Sequence, residues 1–456
     1  MTTKVYLPDA LFAQGTLHRG RGLVVSSEGR VLEIAPEGAE QIALPGKLLL
    51  PGFVNGHSHA FQRAIRGRTE FLAAGHERDD FWSWREAMYE AATALDPEAL
   101  YAVSKQAFLE MALAGITTVG EFHYLHHQAD GRPYTDEHEL SRQVIRAARD
   151  VGLRIVLLRV GYARAGFQVE PNPRQLRFID ADVDTFLRRA SELSAAVKGD
   201  ALVSVGLAPH SVRAVPKPWL EVIGRSWKTG PVHMHVAEQP GEIRACAAEY
   251  GLRPVELLEA VGLLNARFTA VHAIHLDRGE IERLGRARAT VCACPSTERN
   301  LGDGIVEVDA LLSAGASVSL GSDSQAHVDL LQEAQQMEGH LRLLRLRRNV
   351  LAPGSGDCNS LAARLLDFMT VQGARSLGLS GGSLAPGEAA DFVAVDLNHP
   401  SVLGSEESAL ARVVLGAPAS AVTDVFVSGR RIVTQARHPE AEATGRRFLE
   451  VVKALG

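Results

Sequence analysis

Eight short apolar runs, each followed by a stretch with helical spacing, restrict what this chain can fold into more than any other feature. They are LLLPGFVNGHSH (48 to 59), ITTVGEFHY (116 to 124), RIVLLRVGY (154 to 162), ALVSVGLAPHS (201 to 211), PVHMHVAE (231 to 238), FTAVHAIHL (268 to 276), ATVCACP (289 to 295) and SVSLGSDS (317 to 324). Runs this short and apolar read as strands buried on both faces, and strands alternating with helices make βα units with a parallel sheet. Before the second run, Leu100, Val103, Ala107, Met111 and Ala114 step by three or four and define one helical face. Gly115 ends that helix, and Gly152, Gly199, Gly230 and Gly315 punctuate others in the same way. Eight such units suit a closed (β/α)8 barrel of the TIM type. The chain ends read differently: GLVVSSEGRVLEIAP, ADFVAVDL and VTDVFVSGRRIV alternate and turn like antiparallel hairpins. The expected fold is therefore α/β, a barrel over 50–380 with a small β-sandwich domain assembled from 1–49 and 381–456.

Composition narrows the class of partner. A formal charge of −6 over 456 residues provides no basic field for nucleic acid or an anionic membrane, which favours a small-molecule substrate. No apolar run reaches the roughly 18 residues of a spanning helix. MTTKVYLPDA lacks the charged-then-apolar pattern of an export signal, so a cytoplasmic protein is expected. Cys246, Cys292, Cys294 and Cys358 are too few and too scattered for a disulfide framework. Cys292 and Cys294, two thiols without a partner pair, are expected to pack as small buried hydrophobes.

Potential metal donors sit at the ends of these strands, the face where barrel enzymes place their chemistry. His57 and His59 end the first run, and their spacing puts both imidazoles on one side of a strand. The fifth ends in His233, His235 and Glu238, the sixth holds His272 and His275, and the eighth ends in Asp323. One His-x-His pair arises easily by chance, whereas donors at several strand ends do not. Imidazoles with one carboxylate suit a borderline-soft divalent ion, zinc before iron or manganese, with a position left for water. Arginine also gathers near these ends: Arg213 follows the fourth run, and Arg63, Arg66, Arg68 and Arg85 crowd the segment after the first. Arginine forks bind carboxylates well. With seven lysines among 48 basic residues, however, any one arginine is more readily an ordinary surface charge.

The segments PGFVNGHSH, HVAE, VHA and GSDS resemble the amidohydrolase superfamily, in the branch that deaminates guanine, cytosine and related compounds. The resemblance implies that His57, His59, His235 and Asp323 are the metal ligands, Glu238 the proton shuttle, and His272 the group that polarises substrate or water. Asp323 then has a second, catalytic role beside the attacking water. His233 and His275 match no functional position and are expected to pack structurally. Relatives with two metals use a bridging lysine or glutamate on the third or fourth strand; neither run here has one, so one Zn2+ per chain is expected, with Fe2+ or Mn2+ as substitutes. NGHSHAFQRAIRGRTEF, GEFHYLHH, APHSVRAV and CPSTERNLGDG are similar to the deiminases that convert N-formimino-L-glutamate and water to N-formyl-L-glutamate and ammonia. That likeness implies Gln62, Arg85, Tyr124, His210 and Arg213 as substrate contacts, and a homodimer. A guanine- or cytosine-type deaminase, an imidazolonepropionase and a non-catalytic relative stay open as alternatives.

Overall fold

The computed structural model describes residues 3–35, 40–72 and 81–455. All eight expected barrel strands are present: Phe53–Ser58, Ile116–His123, Arg154–Gly161, Val203–Pro209, Val232–Val236, Phe268–His272, Thr290–Ala293 and Ser317–Leu320. They form one sheet in chain order, each parallel to its neighbour. The seam between the eighth and first strands is closed by a parallel bridge, Ser58 to Asp323. There the Asp323 N–H donates to the His57 carbonyl at 3.0 Å, and the His59 N–H donates to the Asp323 carbonyl at 2.9 Å. The residues that close the barrel are thus the ones named as metal donors. Gly321 makes this approach possible, because a Cβ there would lie 2.9 Å from Cβ of His57.

The helix before the second strand is Pro97–Leu113, started by Asp96, whose carboxylate accepts from the Ala99 N–H at 2.8 Å. Its expected face, Leu100, Val103, Ala107 and Met111, is buried against the sheet. Gly115 follows in the left-handed region at φ +87°, a conformation that costs a residue with a Cβ but not glycine.

The small domain is one mixed sheet running Arg430–Val433, Val422–Val427, Phe392–Asp396, Glu40–Pro51, Lys4–Ala13, Gly22–Val25 and Val31–Ala35, with Thr16–Arg19 added beside Lys4–Ala13. Its pairs are antiparallel as expected, except that Lys4–Ala13 and Glu40–Pro51 run parallel. The Tyr6 ring lies 5.0 Å from that of Phe426, although three strand spacings, about 14 Å, separate their strands in a flat sheet. The sheet therefore curls over a core of its own, which includes Tyr6, Leu49, Phe392 and Phe426. Period-two alternation sends Leu48 and Leu50 the other way, into the core shared with the barrel. The run 48–59 is consequently not one strand. Its first part belongs to this sheet, and Gly52, where a Cβ would fall 2.4 Å from the Thr117 side chain, is the break before the barrel begins.

Candidate active site

The nominated donors meet at the C-terminal mouth of the barrel. Nε2 of His57 lies 3.2 Å from Nε2 of His59 and 3.2 Å from Nε2 of His235. Oδ1 of Asp323 is 3.3 Å from His59 Nε2 and 3.6 Å from His57 Nε2. Donor atoms from these four buried residues all fall within 4.8 Å of one another.

Whether they suit a cation is decided by their protons. Nδ1 of His59 faces the Phe122 carbonyl at 3.0 Å, and Nδ1 of His235 faces the His210 carbonyl at 3.1 Å. A carbonyl only accepts, so each Nδ1 carries the hydrogen and each Nε2 is a bare lone pair aimed at the common centre. Burial, and then the charge of neighbouring imidazoles, holds His59 down to about 3 and His57 and His235 well below the usual histidine range. The lone pairs of His59 and His235 both face Nε2 of His57 and, with the Asp323 carboxylate, make a set of neutral and anionic donors that a divalent ion suits. Phe122 supports the group from one side, its ring 5.0 Å from His57, 5.3 Å from His59 and 4.5 Å from His235.

Local backbone aims the neighbouring side chains. Ala237, His272, Ala273 and Asp323 all adopt positive φ, between +49° and +68°. Such conformations are uncommon for residues with a Cβ and gather at functional sites. The turn at Ala237 brings Glu238 round beside His272, with Oε1 3.7 Å from His272 Nε2. His272 Nε2 also lies 3.6 Å from Asp323 Oδ2, while its Nδ1 lies 3.3 Å from Glu298 Oε1. Burial opposes charge on His272, but Glu298, Glu238 and Asp323 outweigh it and raise it to about 10. It is the one imidazole of this group biased toward the charged form.

An open pocket lies over these residues. Gln62, Arg85, Tyr124, His210 and Arg213 all line it. Gln62 donates to the Tyr124 hydroxyl at 3.0 Å, and His210 Nδ1 pairs with Ser211 Oγ at 3.0 Å. Arg213 bonds Glu238 Oε2 at 2.7 Å, and its Nε lies 3.4 Å from Oε2 of Glu242. The other loop arginines go elsewhere: Arg63 and Arg66 pair with Glu110, and Arg68 reaches the Leu455 carbonyl.

A family profile for amidohydrolases matches residues 48–432. The chain belongs to the amidohydrolase family. It is 38% identical over 458 residues to a formimidoylglutamate deiminase of Pseudomonas aeruginosa, covering 99% of each chain. An 8-oxoguanine deaminase of the same organism is 31% identical over 421 residues, covering 88% of this chain and 87% of that one. The crystal structure of an amidohydrolase from Brucella melitensis superposes with a TM-score of 0.92 at 33% identity and 99% coverage of both chains.

In this amidohydrolase, the histidines without a matching role are tied to the scaffold. His233 Nε2 meets the Ser376 carbonyl at 2.7 Å, and His275 Nε2 meets the Asp303 carbonyl at 2.9 Å. His272, Cys294 and Glu298 form a second cluster of potential donors. Glu298 is already engaged there by the Cys294 N–H at 2.8 Å. Burial pushes the Cys294 thiol well above its usual range, which disfavours the thiolate a metal needs. Cys292 and Cys294 pack with Val271 in a small apolar cluster, in line with the sequence reading.

Sequence reasoning passed over Glu298, the partner of His272, and Glu242, the second partner of Arg213. It also passed over Glu121, which accepts from Ser58 Oγ at 2.6 Å and from the Ala60 N–H at 2.7 Å and so grips the residues on either side of His59. Burial pushes Glu121 up to about 8 against those two bonds. For Glu298 and Glu121 the available signal was a carboxylate at or just past a barrel strand end.

Proposed function

We propose that this protein hydrolyses N-formimino-L-glutamate to N-formyl-L-glutamate and ammonia, a step of histidine degradation, as a zinc enzyme. The observation that carries this reading is the polarity of the pocket. One end holds the imidazoles, Glu238 and Asp323, and the remaining wall includes Arg85 and Arg213. A substrate with a reactive formimino carbon and two carboxylates matches that division, whereas a flat nucleobase has no carboxylate for the arginines. The 38% identity over nearly the full chain to a formimidoylglutamate deiminase supports the same substrate. Zinc rests on the donor chemistry, three imidazoles and one carboxylate. The family resemblance extends the reading to a cytoplasmic homodimer.

A divalent ion held by His57, His59, His235 and Asp323 would supply Lewis-acid activation of water at neutral pH. Glu238 accepts the proton that the attacking water gives up as its oxygen bonds to the formimino carbon. The resulting tetrahedral carbon bears a hydroxyl and an amino group. Glu238 returns its proton to that amino nitrogen, so the C–N bond breaks with ammonia as the leaving group. Asp323 takes the hydroxyl proton as the carbonyl forms, and that proton leaves with the product ammonia. His272, held by Glu298, faces the reacting centre and stabilises the charge that develops there. Arg213 and Arg85 hold the carboxylates and fix the reacting carbon in place.

The test is ammonia release by purified protein, metal-stripped and then zinc-restored, from N-formimino-L-glutamate, guanine, 8-oxoguanine and cytosine. Zinc-dependent release from the first alone is expected. Faster release from a nucleobase, or no response to metal, would overturn the reading.

A further inference from the structure

Gln175 lies on the 3-10 turn Pro173–Phe178 after the third barrel strand and is completely buried. Its amide cannot be reversed without loss, because Oε1 accepts the Asn172 N–H at 3.2 Å. The amide nitrogen therefore faces two phenols and donates to both, to Tyr89 at 3.1 Å and to Tyr162 at 3.2 Å. Each phenol oxygen accepts one hydrogen and still carries its own. The two oxygens are 3.5 Å apart, so one hydroxyl can point weakly at the other. The second hydroxyl hydrogen then has no acceptor among the described residues. Beside them, the Arg85 guanidinium stacks 4.5 Å from the Trp82 ring and 5.5 Å from the Tyr89 ring, and its buried Nε has no hydrogen-bond partner.

This wall of the pocket is therefore rich in donors and poor in acceptors. Tyr89, Tyr162 and Arg85 line it, and the only carboxylates among the described lining residues, Glu238 and Asp323, belong to the metal end. Buried donors left unpaired are costly, so such a surface is built to meet an acceptor. A carboxylate brings two oxygens with several lone pairs, and bonds to a charged acceptor are the stronger kind. Tyr89 is pushed far above the usual phenol range, first by burial and then by Tyr162, so it stays a donor at any working pH.

We propose that Tyr89 and Tyr162, turned outward by Gln175, form with Arg85 a carboxylate subsite that selects the carboxyl group of the substrate farther from the reacting carbon. Arg213, bonded to Glu238, serves the nearer one. Gln175 is a positioning residue that touches no substrate; by occupying the phenol lone pairs it leaves hydrogens as what the phenols can offer. The proposal rests on the dicarboxylate reading of the pocket and adds the residues that read the second charge.

The experiment is a cycle of two substrates against Tyr89→Phe, Tyr162→Phe and the double variant. The substrates are N-formimino-L-glutamate and N-formimino-L-norvaline, in which a methyl replaces the side-chain carboxylate. Each single change is expected to raise KM for the glutamate compound about tenfold or more with kcat nearly constant, and to leave kcat/KM for the norvaline compound unaltered. Equal losses on both substrates, or no change in KM, would overturn the proposal. Wild-type turnover of N-formimino-L-glutamate tests the broader reading separately. If that turnover is absent, calorimetry with glutarate and butyrate on the zinc-loaded protein still decides the subsite. Glutarate should bind more tightly than butyrate and weaken about tenfold in Tyr162→Phe, and equal affinity for the two would sink the subsite by itself.

Discussion

The two ends of the pocket are built on different principles. At the metal end, functional atoms come from strand termini and the residues just past them: His57 and His59 from the first strand, His235 and Glu238 from the fifth, His272 from the sixth and Asp323 from the eighth. At the other end most come from loop-borne elements, Arg85 and Tyr89 from the helix Phe81–Ala94, Gln175 from a 3-10 turn and Arg213 beyond the fourth strand, with Tyr162 alone directly following a strand, the third. The metal end is dominated by lone pairs and acidic oxygens, the outer wall by hydrogens and positive charge. A hydrogen-bonded barrel sheet can hold several donors within a few tenths of an ångström, as chemistry at one carbon requires. Loops suit the recognition of a particular substrate, since they vary without disturbing the scaffold. The difference implies that changes at the metal end act on kcat and changes at the outer wall act on KM.

The largest test of that division is Glu238→Gln. It keeps shape and the contact with Arg213 but removes the proton acceptor. Turnover should fall by about 10²–10⁴-fold, the usual contribution of general acid–base catalysis, while metal content stays at the wild-type level by atomic absorption. Retention of near-normal turnover would remove Glu238 from its role and with it the chemical identity of this end.

Arg213→Gln comes next and probes the boundary, because Arg213 touches both ends through its 2.7 Å bond to Glu238. Losing a charged clamp on a carboxylate costs about 2–4 kcal/mol, or roughly 30- to 1,000-fold in kcat/KM. Most of the loss should fall in KM, with metal content intact. A loss confined to kcat would show that Arg213 works chiefly by holding Glu238, and the division between the ends would then break at this residue.

The same contrast explains what could be read from the sequence. Strand period two, helical period and glycine stops are local signals, so all eight barrel strands and the candidate donors at their ends were visible as pattern, while the choice of His57, His59, His235 and Asp323 among those donors came from the family likeness. The break at Gly52 was not, because Leu48–Leu50 and Phe53–Val54 are equally apolar and only the sheet they join tells them apart. Nor was the parallel pairing of Lys4–Ala13 with Glu40–Pro51, which depends on how the intervening hairpins fold back. The turns at Ala237 and Ala273 use left-handed alanines, which carry no compositional mark. Tyr89 lies 73 residues before Tyr162 and 86 before Gln175, so the convergence of the three is a tertiary fact. Arg213 stood out by its place after the fourth run, but only the family likeness separated Arg85 from Arg63 and Arg66, which looked equivalent in sequence and share Glu110.

The smallest expected effect concerns what holds the metal end rigid. Glu121 accepts from Ser58 and Ala60 and so fixes the two residues that interleave with His57 and His59. Ser58 Oγ also accepts from Gln325 Nε2 at 2.9 Å, which commits its own hydrogen to Glu121. Glu121→Leu removes both acceptors and should weaken zinc about 10- to 100-fold in a chelator competition, as losses around a metal's own ligands typically do. Glu121→Gln can still accept from Ala60 and should lose less. Its stability should also differ from wild type in a pH-dependent way. The Glu121 carboxyl is raised from 4.5 to about 8 in the folded protein, so the folded state binds the extra proton between those values. Its contribution is then fully present below about pH 4.5 and is lost as pH rises through 8, by up to ~1.4 kcal/mol per pH unit. Glutamine has no such proton, so Glu121→Gln should gain on wild type as pH rises from 5 to 8 in thermal melts. A gap that stayed constant across that range would mean that Ser58 and Ala60 keep Glu121 ionised throughout. The metal end would then rest on a buried charge held by two donors instead of on a neutral carboxyl.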